Sequence, residues 1–207
     1  MEKLIELANQ IKDNELRKKV VGYLKDPTPS HKDFKKYPKG DLKKTVTPFS
    51  VGGAGAVKRD VLNHTISVTE LCIKTAETVE KNFGVKVNKD HLIAGAILHD
   101  MMKLFEWKLD EDGDPVPTGV LLDHSFLGAA ELYYRGFPER VIHIVASHFG
   151  EHGPTPPRNF EALILHHVDN MLALIESHQA GGHAKEHHMP VLVLDEDTIK
   201  KLRESKE

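Results

Sequence analysis

Apolar residues recur at intervals of three and four through most of the chain, and polar metal-ligand types interrupt the apolar faces at a few positions. This period confines the fold to packed amphipathic helices. It also turns each intruding histidine or aspartate into a question, because a polar group on a buried face is costly unless it is satisfied or used.

Leu4, Leu7 and Ile11, then Leu16, Val20 and Leu24, mark two short helices with Asp13 as a cap between them, a helical hairpin. The stretch from Asp26 to Gly55 carries Pro27, Pro29, Pro38 and Pro48, several lysines and closing glycines, and reads as irregular and surface-running. From Ala56 to Asn82, Val57, Val61, His64, Val68, Leu71 and Thr75 share one face, so a helix ending near Gly84 places His64 on its buried side. Asn88 caps a helix that runs through Ala94, Ile97 and Leu98 to His99 and Asp100. Leu109 to Thr118 reads as a turn or short hairpin, and Asp123 caps a helix with His124 in its first turn. Pro138 opens a helix whose pattern continues through Val141 and Val145 to His148, and Asn159 opens one through Ile164 and Asp169. The only strand signal is Val191 to Leu194, followed by a charged terminal helix from about Asp195.

Five helices thus deliver His64, His99 with Asp100, His124, His148 and Asp169. Six nitrogen and oxygen ligands exceed the roughly three protein ligands of an open catalytic zinc. Two ions sharing Asp100 would accommodate them, and a pair about 3.5–4 Å apart suits in-line displacement at phosphorus by a metal-bound hydroxide. Imidazole with carboxylate suits iron(II), manganese, cobalt, nickel or zinc better than magnesium or calcium, which prefer all-oxygen shells; of the five, iron or manganese is the expectation.

The remaining composition narrows the setting. A single cysteine, Cys72, excludes disulfides within the chain and a thiolate zinc knuckle and fits a reducing cytoplasm. No apolar run approaches a membrane span, and the N-terminus lacks an export signal, so a cytoplasmic protein without membrane attachment is expected. With 28 basic and 31 acidic residues, a formal net charge of −3 supplies no global field for nucleic acid, so an anionic substrate must be held locally.

The chain resembles the HD superfamily of metal-dependent phosphohydrolases. The residues that carry the resemblance are Leu62-Asn63-His64-Thr65, Ala94 to Asp100, Asp123-His124, Ser147-His148 and His167-Val168-Asp169-Asn170, over about Val51 to Leu174. It implies an all-α, HD-domain helical bundle at 51–180, with a short N-terminal helical hairpin and loop at 1–50 and a small C-terminal extension at 181–207. It also implies His64, His99, Asp100, His124, His148 and Asp169 as metal ligands, and hydrolysis of phosphomonoesters or phosphodiesters. Many members carry Gly and Lys after the His-Asp pair, whereas here Met102 stands in the glycine position and Lys103 is retained.

On a continuing helix Lys103 lies one turn beyond His99, where its ammonium would meet a phosphate or the charge developing on it; the alternative is a solvated lysine. Arg59, His152 and Arg158 are the other cations read as substrate contacts, with Lys58 beside Arg59; solvated charge is the ordinary fate of each. His166 shares the face of Asp169 as a rival ligand or outer partner. His143 is read equally as core packing or as a proton donor. His183, His187 and His188 are read as solvent-facing tail residues rather than a second metal site.

Within that family the middle of the chain resembles the catalytic half of bacterial 3'-5' exoribonucleases, but the short hairpin here leaves no room for a single-strand module before it. The expected partner is therefore a small phosphorylated substrate, such as a nucleotide or pterin cyclic phosphate. The alternatives are an RNA end or a non-catalytic nucleotide-binding module, and a homo-oligomer is compatible with the sequence.

Overall fold

The computed structural model describes residues 1–48 and 56–180. Its helices are α1 (Glu2–Ala8), α2 (Asn14–Lys25), α3 (Val61–Phe83), α4 (Lys89–Leu98), α5 (His124–Tyr134), α6 (Glu139–Ala146) and α7 (Phe160–Ala180). Two antiparallel ribbons accompany them: β1 (Thr45–Pro48) with β2 (Ala56–Arg59), and β3 (Trp107–Leu109) with β4 (Pro115–Pro117). The described residues form a helical bundle in which strands occur only as these two short ribbons.

Helix α4 organises the bundle. Every residue from Leu92 to Leu98 is buried, so this helix is apolar all round and must sit at the centre, packed against α3, α6 and α7. The N-terminal hairpin closes one end: Asp13 accepts from the Glu15 and Leu16 amides, and Leu4, Leu7, Ile11, Leu16 and Val20 join Ile93, Ala94 and Ile97 in one core. A second core gathers Val68, Cys72 and Ala76 of α3 with Leu92, Ile144 and Leu165. Cys72 is thus a core filler.

Gly95 allows α4 to approach α6, since a Cβ there would stand 2.3 Å from Ile144 Cγ2. Alanine would improve helix propensity by about 1 kcal/mol, but overpacking a buried β-branched neighbour costs about 1–3 kcal/mol. Gly95→Ala is therefore expected to lower the denaturant midpoint, with a net loss in stability of up to about 2 kcal/mol. An unchanged or raised midpoint would show that α6 yields freely.

Several helix boundaries differ from the sequence reading. Ala56–Arg59 pairs with β1 as a strand, and α3 begins only at Val61, where Asp60 accepts from the Asn63 amide and Leu42 O accepts the Val61 amide. Helix α4 stops at Leu98, just short of the His99-Asp100 pair to which the sequence pattern carried it, and a 3-10 turn, Met101–Phe105, follows in place of a continuing helix. Met102 is fully buried in that turn, its Cγ 3.9 Å from where a Cβ on Gly128 of α5 would lie. The departure from glycine is thus absorbed by the core, facing a glycine. Helix α6 ends at Ala146, so His148 lies just beyond it. Of the short strands, the sequence reading offers only the hairpin at Leu109 to Thr118, whose first strand β3 begins two residues earlier, at Trp107. Val191 to Leu194 and the tail histidines lie outside the described residues. No helix among the described residues is long and apolar enough to cross a membrane.

Candidate metal centre

Helices α3 and α7, the segments after α4 and α6, and the first residue of α5 bring their polar residues to one buried point. Among the described residues two groups could each hold a metal ion: His64, His99 and Asp100, and Asp100, His124 and His148. The ligand atoms within each group lie within 4.8 Å of one another, and Asp100 is common to both. Its two oxygens face different ways. Oδ1 is 3.2 Å from His124 Nε2 and 4.0 Å from His148 Nε2, while Oδ2 is 3.5 Å from His99 Nε2 and 2.9 Å from Lys103 Nζ. Asp169 on α7 joins the first group through Oδ1, 2.8 Å from His64 Nε2 and 3.8 Å from His99 Nε2.

The local geometry turns each histidine inward. His99 Nδ1 donates to Ala96 O and His148 Nδ1 to Val145 O, both at 2.7 Å, which leaves each Nε2 as the free lone pair facing the cluster. His64 Nδ1 is 2.9 Å from Glu176 Oε1, and His124 Nδ1 is 3.0 Å from Glu106 Oε1. Phe149 covers the far side, its ring centroid 4.5 Å from that of His148 and 5.1 Å from that of His124.

This donor set fits divalent metal. His99 Nε2 is buried without a hydrogen-bond partner, a cost that a ligated ion would remove. Burial opposes ionisation of Asp100, yet Lys103, then His99 and His124, hold its carboxyl well below the usual carboxylate range. Asp169 is likewise held low against burial by His64 and His99. Burial, then His99 and His124, pushes His148 down to about 3, so its imidazole is a neutral ligand. His64 and His124 rise against the pull of burial because carboxylates bond them on both sides, Asp169 with Glu176 and Asp100 with Glu106. Entry of metal between those partners would displace protons.

The other cations fall in different places. Lys103 is only 8 % exposed, which overturns the solvated reading. Arg59 places Nε 2.5 Å from Glu176 Oε2 and Nη2 2.6 Å from His64 Nδ1. His152 and Arg158 are exposed on the segment after His148. His143 Nε2 accepts the Arg158 amide at 3.0 Å, so it shapes that segment. His166 is in neither triad: its Nδ1 donates to His148 O at 2.8 Å. Gly150, at φ +56°, makes room for it, since a Cβ there would stand 2.2 Å from His166 Cε1.

Sequence reasoning missed Glu106, Glu176 and Phe149. Glu176 was findable, being two turns on from Asp169 along α7 and hence on the same face. Glu106 carries no such signal, because it reaches His124 through the fold of the β3–β4 hairpin.

The HD domain family model matches residues 61–174. Over 170 residues the chain is 45% identical to the dihydroneopterin 2',3'-cyclic phosphate phosphodiesterase of Methanocaldococcus jannaschii, a span of 82% of this chain and 67% of that protein. Over 119 residues it is 34% identical to the 3'-5' exoribonuclease YhaM of Geobacillus sp., covering 52% of this chain and 35% of the relative. No solved structure gives a significant match.

Proposed function

The chain belongs to the HD domain family, and from that premise we propose that it is a phosphodiesterase that opens the ring of dihydroneopterin 2',3'-cyclic phosphate. An HD domain is a metal-dependent phosphohydrolase, so the reaction class follows from the family. The observation that carries the reading is the pair of ligand groups sharing Asp100, together with 45% identity to a protein of that activity.

His64, His99, Asp100 and Asp169 would hold one ion, and Asp100, His124 and His148 the other. When bound, the ions would lower the pKa of a shared water and clamp phosphoryl oxygens. The imidazole and carboxylate donors suit iron(II), manganese(II), cobalt(II), nickel(II) or zinc(II), and of these we take iron(II) or manganese(II). Lys103 is buried beside Asp100 Oδ2 and so offers a fixed positive charge for the phosphoryl oxygens as charge builds on them. Arg59 Nη2 lies within reach of both ring nitrogens of His64, and His152 and Arg158 meet the part of the substrate that projects from the centre. In the net reaction the water oxygen forms a new bond to phosphorus, one ring P–O bond breaks, and the leaving oxygen takes a proton to become a hydroxyl.

Incubating protein loaded with manganese or iron with dihydroneopterin 2',3'-cyclic phosphate, followed by phosphorus NMR, should show the cyclic signal replaced by monoester. Persistence of the cyclic signal alongside shortening of a single-stranded RNA from its 3' end would refute this substrate in favour of the nuclease.

A further inference from the structure

All four cluster histidines are held from outside through Nδ1, but by two means. His99 and His148 are locked by carbonyls of their own preceding turn, at 2.7 Å. His64 and His124 face glutamates distant in sequence, and His64 Nδ1 also meets Arg59 Nη2 at 2.6 Å. Each group of ligands sharing Asp100 contains one histidine of each kind.

We propose that Glu106 and Glu176 are positioning residues of the metal centre, each acting through one histidine, and that Glu106 governs retention of the ion at Asp100, His124 and His148. The assignment rests on the two-ion reading above.

The two glutamates are not equivalent. Glu176 divides its carboxylate between His64 and Arg59, whose guanidinium balances its charge. Glu106 uses one oxygen twice, accepting the His124 backbone amide at 2.7 Å and facing Nδ1 of the same residue at 3.0 Å. Among the described residues no lysine or arginine forms an ion pair with it. Its full charge is therefore available to orient the imidazole and raise its basicity as a ligand. Position adds a second effect. Glu106 directly follows the turn that carries Lys103, and its carbonyl accepts the Thr118 amide at the base of the β3–β4 hairpin. One side chain thus ties the turn after Asp100 to the first residue of α5. Its distance from Asp100 in the ligand group is spanned by a short 3-10 segment, so a loss at Glu106 frees His124 in both rotation and position.

The test is a manganese titration of the metal-stripped full chain, followed by electron paramagnetic resonance and metal analysis, on wild type, Glu106→Ala, Glu106→Gln and Glu176→Ala. Glu106→Ala should bind one ion as wild type does and the second about 10- to 100-fold more weakly, the usual cost of losing such an outer partner. The spectrum of a coupled manganese pair should give way to that of an isolated ion. Glu106→Gln, which keeps an accepting oxygen without the charge, should fall between. Glu176→Ala should weaken the other ion while leaving the Asp100, His124 and His148 site filled. Unchanged melting of the metal-free Glu106 variants would separate positioning from folding. A Glu106→Ala protein with wild-type affinity for both ions and an intact coupled spectrum would overturn the proposal while leaving the proposed function standing. A wild-type protein that never takes up a second ion would overturn the two-ion reading, and this assignment with it.

Discussion

Asp100→Ala is expected to strip the protein of both ions together and to lower phosphodiesterase activity by more than about 100-fold, beyond what loss of an outer partner costs. The reason is topological. His64, His124, His148 and Asp169 each stand in one ligand group, whereas Asp100 offers an oxygen to each group. His124→Ala, by contrast, should empty one site and spare the other. Metal analysis of the two purified variants separates the cases. An Asp100→Ala protein that retained one firmly bound ion would show that the groups are independent and that the carboxylate does not bridge.

Lys103→Met should act differently with and without metal. In the metal-free protein Lys103 is the closest cation to a fully buried carboxylate, and breaking such a pair costs about 3–5 kcal/mol. His124 still faces Asp100 Oδ1 at 3.2 Å, so the loss should lie near the lower end of that range. Metal ions would supply the missing charge, and the loaded variant should melt close to loaded wild type. The gap between melting temperatures with and without chelator should therefore widen, and the turnover number should fall by about 100-fold if the ammonium also faces the transition state. Equal destabilisation in both states, with normal turnover, would reduce Lys103 to a packing residue.

The sequence is legible where helical period and chemistry coincide. His64, the His-Asp pair, His148 and Asp169 could be picked out because each interrupts an apolar face, and the structure brings their side chains together. The same period misplaced the helix start at Ala56, because Val57 continues the apolar spacing although its backbone pairs with Thr47 in a ribbon. It left the path after Asp100 open, because nothing in Asp100-Met101-Met102 announces a change from α to 3-10 turn. The turn matters for Lys103, which folds back onto Asp100 at 2.9 Å, where a continuing helix would have set it one turn beyond His99. The outer carboxylates are a different kind of omission. Glu106 acts across the bundle, and tertiary partners of this sort leave no periodic trace.

Helix α4 is enclosed on all sides and is followed directly by His99, which faces one ligand group, and Asp100, which faces both. A pair mounted on such an axle cannot shift by an ångström without moving the packing of α3, α6 and α7 around it. The centre is therefore geared to the whole bundle: an opening of the core large enough to free α4 would release the ions, and ions in place would hold the core shut. For this chain, holding metal and staying folded are two readings of one equilibrium.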